Sequence, residues 1–202
     1  MRKFTGQTLL VATHNAGKLE EFQQILGPLG ITVTSAKEHG LPEPEETGTT
    51  FVENARLKAH AAAKATGLPA LADDSGLEVA ALDGAPGVYT ADWAETPAGR
   101  DFIMAMEKTH AKLIAAQAPQ PWAARFCCTL VLAWPDGHDE AFEGHANGQL
   151  VWPRRGQDGH GYDPMFQPEN ETRTFAEMSH TEKNARSHRG AAITALLKGC
   201  FQ

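Results

Sequence analysis

Residues 8–18 have the sequence TLLVATHNAGK, an apolar run followed by a polar turn and a lysine. The apolar residues 8–13 predict a buried strand. After the turn, apolar side chains recur on one side of a predicted helix that Gly27-Pro28 ends, at Leu19, Phe22, Ile25 and Leu26. A strand that leads through a short turn into a helix is typical of α/β proteins, and we expect that fold class here.

Three further helices are predicted from capping signals and apolar spacing. Residues 50–67 open with a capping box of Thr and Glu and end in glycine. Residues 100–117 predict a third helix, whose inward side chains are expected to be Phe102, Ile103, Met106, Leu113 and Ile114. A second capping box at residues 179–182 opens one final helix, with an apolar end at Ile193, Leu196 and Leu197.

The remaining apolar runs predict strands. One strand covers residues 31–34, and another covers residues 69–72 and runs directly into Asp73-Asp74-Ser75-Gly76, which places two carboxylates where a strand ends. Residues 125–152 contain two strand-like runs on either side of Pro135-Asp136-Gly137, which indicates a hairpin. The sheet is therefore expected to be mixed.

The composition excludes several classes of protein. The formal net charge is −7, with 18 Lys and Arg against 25 Asp and Glu, which argues against binding to a nucleic acid polymer. Residues 1–7 lack the apolar core of a signal peptide, and the most apolar later run, residues 126–134, is far shorter than the ~20 residues that cross a bilayer. We expect one domain, residues 1–202, without a membrane partner.

Cysteine usage bears on the compartment. Cys127 and Cys128 are adjacent and Cys200 lies near the end, which gives an odd count. None of the three has the spacing of a metal site. This usage favours a reducing, cytoplasmic setting.

The turn Thr13-His14-Asn15-Ala16-Gly17-Lys18 is the first candidate site. Backbone N–H groups at a helix N-terminus and a lysine side chain together suit a phosphate group. The turn is not a Walker loop, because Ala12 stands where the first glycine of that motif belongs and Leu19 follows the lysine. Taken alone, these residues fit a surface turn with a solvated lysine at least as well.

Glu46, Asp73 and Asp74 form a candidate metal site. Glu46 lies in the acidic, Pro-rich loop of residues 38–48, and the two aspartates follow a predicted strand. Mg²⁺ takes one or two protein carboxylates together with phosphate oxygens and water, so this small set suffices when the ligand is a nucleotide. A solvated loop charge is the alternative for Glu46, whereas two adjacent aspartates create a local charge that a cation would offset.

Two further groups could recognise the rest of a nucleotide. Residues 159–164, GHGYDP, offer flat side chains and a carboxylate that could hold a base, although a turn with a packed tyrosine explains them better when they are taken alone. Four cationic side chains in this acidic protein could face anionic oxygens, namely Lys183, Arg186, His188 and Arg189. A phosphate turn, a metal site, a base pocket and a cationic segment together match the needs of a nucleoside triphosphate.

In their order along the chain, these segments resemble the inosine triphosphate pyrophosphatases, which remove inosine and xanthosine triphosphates from the nucleotide pool. The likeness covers nearly the whole chain, in the segments VATHNAGK (11–18), EETGTTFVENARLKA (45–59), LADDSGLEV (71–79), GAPGVY (84–89), ARFCC (124–128), GYDPMF (161–166) and EKNARSHRGAA (182–192). The resemblance implies an elongated α/β fold with a mixed central sheet flanked by helices, an active-site cleft between two lobes, and a homodimer. It also implies Mg²⁺-dependent hydrolysis of dITP, ITP or XTP to the monophosphate and pyrophosphate.

The resemblance assigns roles to residues of this sequence. Thr13 to Lys18 would hold the triphosphate, Glu46 and Asp74 would bind Mg²⁺, and Asp74 would be the catalytic base. From the chemistry rather than the resemblance, Lys18 is expected to neutralise charge that develops on the leaving group, and Asp73 is the neighbouring carboxylate that could act as the base in place of Asp74. The nucleotide pocket would be lined by Ser75, His160, Gly161, Tyr162, Asp163, Lys183, His188 and Arg189.

His160 departs from the family pattern, which usually has Phe at this position. An imidazole can still stack on a purine, with less apolar area than a phenyl ring. The departure therefore bears on the affinity for the base.

Two other functions fit parts of the pattern. A kinase or another P-loop NTPase would cut the β–γ bond, but the Walker motif is not met. A nucleotide-binding module without turnover is the non-enzymatic alternative, and the intact carboxylates and lysine, Glu46, Asp73, Asp74 and Lys18, argue against it. Release of orthophosphate would favour the first, and no hydrolysis with Mg²⁺ present would favour the second.

Overall fold

The computed structural model describes residues 1–202. Seven of its strands form one sheet. The strands of the chain are β1 (Thr8–Val11), β2 (Thr32–Ser35), β3 (Ala70–Val79), β4 (Pro86–Gly87), β5 (Glu95–Thr96), β6 (Gly99–Arg100), β7 (Trp122–Ala133), β8 (Asp139–Leu150) and β9 (Phe166–Pro168). The order in the sheet is β2-β1-β3-β7-β8-β9, with β4 paired to β3, and β5 and β6 form a separate two-stranded ribbon.

The sheet mixes parallel and antiparallel pairs. β1 is parallel to β2, in a register that places Thr8 opposite Thr32, and parallel to β3. β4 runs antiparallel to β3, and β9 runs antiparallel to β8. β7 and β8 are neighbours joined by the turn of residues 134–138, so both the mixed sheet and the predicted hairpin are confirmed.

Five α-helices accompany the sheet. They are α1 (Ala16–Leu26), α2 (Phe51–Thr66), α3 (Phe102–Ala115), α4 (His180–Asn184) and α5 (His188–Leu196), and a π-helical turn, Leu197–Phe201, continues α5. α2 has the predicted ends: the Thr50 and Glu53 side chains each accept the other's backbone N–H, and Gly67 closes the helix with a φ of 69°. None of the helices combines the length and the apolar character needed to cross a membrane.

The chain packs as two compact units. Unit 1 contains Met1–Asp74, Thr129–Glu143 and Ala192–Gln202, and unit 2 contains Ser75–Cys128 and Gly144–Ala191. Strands β3, β7 and β8 contribute residues to both units. The expectation of one domain stays a prediction.

Small side chains form the core of unit 1. Four alanines of α2 are buried against β1, β3 and β7, where they meet Leu10, Ala70, Ala72, Val131 and Ala133. Because an alanine ends at Cβ, α2 can lie close against the sheet. This closeness brings the polar residues of α2 within reach of the carboxylates on β3.

Aromatic side chains form the core of unit 2. The Phe126 ring lies 4.6 Å from that of Phe166 between centroids, and Phe166 lies 5.1 Å from Phe175. Tyr162 and Met106 are buried in the same cluster. The segment that carries residues 159–165 is therefore anchored by large apolar groups.

The expected inward face of α3 is wrong at two positions. Ile103 is 47% exposed and Ile114 is 58% exposed, whereas the buried residues of the helix are Ala105, Met106, Thr109 and Leu113. At 3.6 residues per turn, both isoleucines lie roughly 90° around the axis from Leu113. The helix therefore faces the core with these four residues rather than with the two isoleucines.

The final helix is divided into α4 and α5, although the sequence predicted one continuous helix. α4 ends at Asn184, and Ser187 Oγ then accepts the Gly190 N–H at 3.0 Å, which caps a new helix start. A Cβ at Gly190 would lie 2.6 Å from the Asn184 carbonyl oxygen, so the break also depends on this glycine.

Gly148 provides a test of the packing between β8 and β9. It lies opposite Pro168, and an added Cβ would lie 2.3 Å from the Gln167 carbonyl oxygen. We expect Gly148→Ala to lower the free energy of unfolding by about 2 kcal/mol or more, because the backbone of β9 must move. Urea denaturation followed by tryptophan fluorescence measures this change.

Gly27→Ala is the matched control. Gly27 has a helical φ of −55°, and an added Cβ there would have no neighbour within 4 Å, so alanine should be neutral or slightly stabilising. Equal urea midpoints for the two variants would contradict the close approach of β8 and β9.

Candidate active site

The turn between β1 and α1 presents a helix N-terminus to solvent. Asn15 caps α1, since its Oδ1 accepts the Lys18 N–H at 3.1 Å while its own N–H donates to Thr13 Oγ1 at 3.1 Å. His14 precedes the cap, Ala16 and Gly17 are the first residues of the helix, and no acidic residue lies in its first turn. Because a helix N-terminus carries partial positive charge, this turn favours an anion.

Asp73 and Asp74 lie inside β3, and the expectation that they follow the end of a strand is wrong. The strand continues because Leu77 and Glu78 pair with β4, a partner outside the predicted strand. Consecutive residues of a strand point to opposite faces, so the two carboxylates meet different cations. Lys18 Nζ lies 2.7 Å from Asp73 Oδ2.

Lys58 of α2 links the two carboxylates that the sequence assigned to a metal. Its ammonium donates to Glu46 Oε1 and lies 3.9 Å from Asp74 Oδ1. Burial alone would lower the pKa of Lys58, but the negative charges of Asp74, Glu46 and Asp73 outweigh burial and raise this pKa. Lys58 therefore remains protonated and gathers Glu46 and Asp74 around one positive charge.

Lys58 also lines a cavity of about 180 Å³ with residues of the β1–α1 turn. The cavity wall includes Ala12, His14 and Glu43. Unit 1 thus brings together the predicted phosphate turn, the three predicted carboxylates and one lysine that the sequence did not assign.

The Asp74 carboxyl group of this cluster has a strongly raised pKa. Burial raises the pKa of Asp74 to about 6, from an ordinary value of 3.8. Lys58 and a hydrogen bond from Asn54 oppose the rise, whereas the charges of Glu46 and Asp73 add to it. A carboxylate with a pKa near neutrality can accept a proton during a reaction, which suits a general base.

Asn54 connects Asp74 to the loop that carries Glu46. Its Nδ2 donates to Asp74 Oδ2 at 3.1 Å, and its Oδ1 accepts the Gly48 N–H at 2.8 Å. The side chain is 1% exposed. An added Cβ at Gly48 would lie 2.6 Å from Asn54 Oδ1, so the contact requires glycine.

Glu46 and Asp74 are the carboxylates of this cluster that could hold a magnesium ion. Glu46 and Asp74 supply hard oxygen ligands, and two is a common number of protein carboxylates for Mg²⁺ when phosphate is the other ligand. No group of three or more His, Cys, Asp and Glu side chains is arranged as a metal site. Burial is the chief cause of the raised pKa of Asp74, and the charges of Glu46 and Asp73 add to it, so a cation bound at this carboxylate would lower that pKa.

In unit 2, an ion pair holds the loop that the sequence assigned to base recognition. Asp163 is 3% exposed and accepts the His160 N–H at 2.6 Å and a hydrogen bond from the ammonium of Lys183. An added Cβ at Gly159 would lie 2.2 Å from Asp163 Oδ2, and Gly159 has a φ of +82°. The bend at this glycine therefore leaves room for the Asp163 carboxylate beneath the loop. This carboxylate partly neutralises the charge of Lys183.

The sequence predicted that the Tyr162 ring would face a ligand. In the structure the ring is buried instead. The side chain is 1% exposed, and its hydroxyl lies 3.4 Å from Thr109 Oγ1. Phe102 packs against the ring with centroids 6.0 Å apart. The flat side chain that this loop exposes is that of His160.

His188 and Arg189 lie in the first turn of α5, directly after Ser187. The His188 ring stacks on Phe126 with centroids 5.0 Å apart and planes 16° apart. Arg186 lies between α4 and α5 and pairs with Glu171 at 3.2 Å, so it does not share a helix face with Lys183. Ser75 is the first residue of unit 2 and is partly buried in β3.

The sequence profile of the Ham1 family matches residues 9–199 of this chain. The chain belongs to the Ham1 family. This membership confirms the resemblance inferred from the sequence, since relatives of the chain include dITP/XTP pyrophosphatases.

Individual relatives match over almost the full length. The dITP/XTP pyrophosphatase of Ruegeria pomeroyi is 66% identical, over 99% of this chain and 98% of the relative. The dITP/XTP pyrophosphatase of Mesorhizobium japonicum is 56% identical, over 96% and 93%. A HAM1 protein from Coxiella burnetii has a similar solved structure, with a TM-score of 0.90, 40% identity, and coverage of 96% of this chain and 98% of that one.

Two site residues of this Ham1 protein were missed from the sequence alone. Lys58 and Asn54 are one helical turn apart on α2, and so lie on the same face of that helix. An asparagine inside an alanine-rich helix is a weak signal, because asparagine is a poor helix former that needs a tertiary partner. The partner, Asp74, lies 20 residues away and could be found only from the fold.

Asp74 is expected to cost stability at neutral pH. Its folded-state pKa of about 6 lies above the ordinary 3.8, so the folded protein holds this proton more tightly than the unfolded chain does. Stability therefore falls as the pH rises through this window. We expect Asp74→Asn to raise the free energy of unfolding at pH 8 in EDTA by at most about 3 kcal/mol, seen as a higher melting temperature, and to match the wild type below about pH 4.

Asp139→Asn is a control with the opposite sign. Burial would raise the pKa of Asp139, but hydrogen bonds from His60 and Arg56 outweigh burial and lower it. Removing this charge should destabilise the protein at pH 8, and the difference should shrink as the pH falls. A lower melting temperature for both variants at pH 8 would contradict the account of Asp74.

Proposed function

We propose that this Ham1 protein hydrolyses dITP, ITP and XTP to the nucleoside monophosphate and pyrophosphate, and so removes non-standard purine nucleotides from the pool. The observation that carries the proposal is the cluster of Asp74, Glu46, Lys58 and the Lys18–Asp73 pair beside an open helix N-terminus. The names of the relatives support the same substrates.

The reaction needs a base, and Asp74 is the residue suited to that role. Its carboxylate takes a proton from a water molecule, the water oxygen bonds to the α-phosphorus, and the bond from the α-phosphorus to the bridging oxygen breaks. Asn54 orients the carboxylate through its amide. In the metal-free protein the pKa of Asp74 is about 6, raised chiefly by burial, which places proton uptake by this carboxylate near neutral pH.

The negative charge on the leaving pyrophosphate requires stabilisation. Lys18, Lys58 and the first N–H groups of α1 are the cationic and dipolar groups of unit 1 that can supply it. Glu46 and Asp74 would hold Mg²⁺, which neutralises phosphate oxygens when bound. Lys58 would keep the two carboxylates close together before and during binding.

Base selection is assigned to residues of unit 2. Hypoxanthine and xanthine carry a carbonyl at C6, where adenine carries an amino donor. Arg189 is a donor that can pair with the carbonyl and leaves the amino group unpaired, and a site built on such hydrogen bonds can discriminate steeply. Guanine shares the C6 carbonyl, so the rejection of GTP must depend on its 2-amino group. His160 would stack on the purine, and Lys183 and His188 would contact the nucleotide.

The proposal also includes a homodimer in a reducing cytoplasm. The three cysteines are free and buried, which is compatible with that compartment.

A nucleotide panel with separate detection of pyrophosphate and orthophosphate tests the proposed function. We expect kcat/KM for XTP, dITP and ITP to exceed that for ATP and GTP by at least about 100-fold, with pyrophosphate as the product. Equal rates on all five would contradict the base selection. Orthophosphate would favour a P-loop type of reaction, and no hydrolysis with Mg²⁺ present would favour a binding module.

Replacing the proposed base should remove turnover without unfolding the protein. Asp74→Asn is expected to lower kcat for XTP by about 100-fold or more, because a positioned general base contributes that much. Asp139→Asn, which alters another carboxylate of unit 1, should keep kcat within about twofold. An Asp74→Asn enzyme with more than a tenth of the wild-type kcat would remove Asp74 from its assigned role.

A further inference from the structure

Unit 2 contains a second cavity that the proposed reaction does not use. Its volume is about 750 Å³, within the range of small-molecule sites. It opens beside the β5–β6 ribbon, the start of α3 and the segment of residues 154–157. Gly161 and Pro164 contribute to its wall, so it shares a side with the loop of residues 159–164.

Two arginines whose side chains have no ion pair or hydrogen bond line this cavity. They are Arg100 and Arg154. By contrast, six arginines of the chain contact a carboxylate, namely Arg2, Arg56, Arg125, Arg155, Arg173 and Arg186. In a protein of net charge −7, two unpaired guanidinium groups at one cavity leave a local positive charge without a protein partner.

The single carboxylate of the cavity wall is already engaged. Asp101 Oδ1 accepts the Met104 N–H at 3.0 Å as the cap of α3. The wall therefore carries two positive charges against one negative charge. A guanidinium group presents paired N–H donors that match the oxygens of a phosphate.

Apolar side chains form another part of the same wall. Phe102 and Ile103 begin α3, and Met106 lies one turn further along the helix. Ile103 is 47% exposed, so its side chain is accessible to a ligand. Such a wall suits the non-polar part of a ligand whose anionic end reaches the arginines.

From this combination we infer that the cavity is a binding site for a phosphorylated small molecule with a flat apolar group, of the size of a nucleoside monophosphate. Arg100 and Arg154 bind the phosphate, and Phe102 and Ile103 contact the remainder. Because Gly161 and Pro164 belong to the wall, an occupied cavity also restrains the loop that carries His160.

Isothermal titration calorimetry with adenosine monophosphate as the probe tests this site. We expect the wild type to bind the probe, and the double variant R100Q/R154Q to bind it at least about tenfold more weakly, since two charge-assisted contacts are lost. The double variant R2Q/R56Q removes the same charge from unit 1 and should bind like the wild type. Melting temperatures show that each variant is folded.

Two more variants distinguish binding inside this cavity from binding to surface charge or to the phosphate turn. Ala98→Trp keeps both arginines but fills the space beside them, and it should also abolish binding. Lys18→Gln alters the phosphate turn of unit 1 and should leave the probe's affinity unchanged. XTP hydrolysis by R100Q/R154Q should keep its basal kcat, so a failure of the site is distinct from a failure of the proposed reaction.

Three outcomes would overturn the inference. The first is no binding to the wild type at millimolar probe. The second is a loss of affinity in Lys18→Gln with full affinity in R100Q/R154Q, which would place the probe at the phosphate turn. The third is full affinity in Ala98→Trp, which would show that the probe binds to exposed charge rather than inside the cavity.

Discussion

The burial of Asp74 is the constraint on which the rest of unit 1 depends. A carboxylate removed from water favours its protonated form unless partners stabilise the charge, and here burial prevails enough to raise the pKa of Asp74 to about 6. Asn54 and Lys58 provide the opposing contacts, and both come from α2. Their positions depend on the alanine packing that sets α2 against the sheet.

The same constraint links structure to chemistry. Placing Asp73 and Asp74 on opposite faces of β3 gives each carboxylate its own cation, Lys18 for one and Lys58 for the other. The two aspartates therefore lie next to each other in sequence but in different electrostatic surroundings. Asp73 is paired with Lys18 at 2.7 Å. Asp74 has a pKa raised chiefly by burial, and this pKa suits proton transfer.

Local signals predicted the elements well where the determinants are close in sequence. The capping box of α2, its terminal glycine and the hairpin around residue 136 are encoded by a few neighbouring residues, and the structure has all three. The length of β3 was not predictable in this way, because its second half depends on pairing with β4. The break before α5 had a local signal, Ser187, that the apolar pattern on either side concealed.

The residues of the candidate site likewise fall into those that the sequence predicted and those that only the fold shows. The phosphate turn, the carboxylates, and the ion pair of Asp163 with Lys183 involve residues that the sequence pattern singled out. Lys58 and Asn54 escaped notice because a lysine and an asparagine in a helical sequence look ordinary until the tertiary fold supplies their partners. Tyr162 is the opposite case: the sequence predicted that it contacts a ligand, but its ring is packed in the aromatic core of unit 2.

Hydrolysis of XTP in oxygen-18-enriched water tests the central claim most directly. If Asp74 activates a water molecule toward the α-phosphorus, mass spectrometry will find the label in the nucleoside monophosphate and none in pyrophosphate. Label in pyrophosphate, or in orthophosphate, would show attack at another phosphorus and would contradict the account.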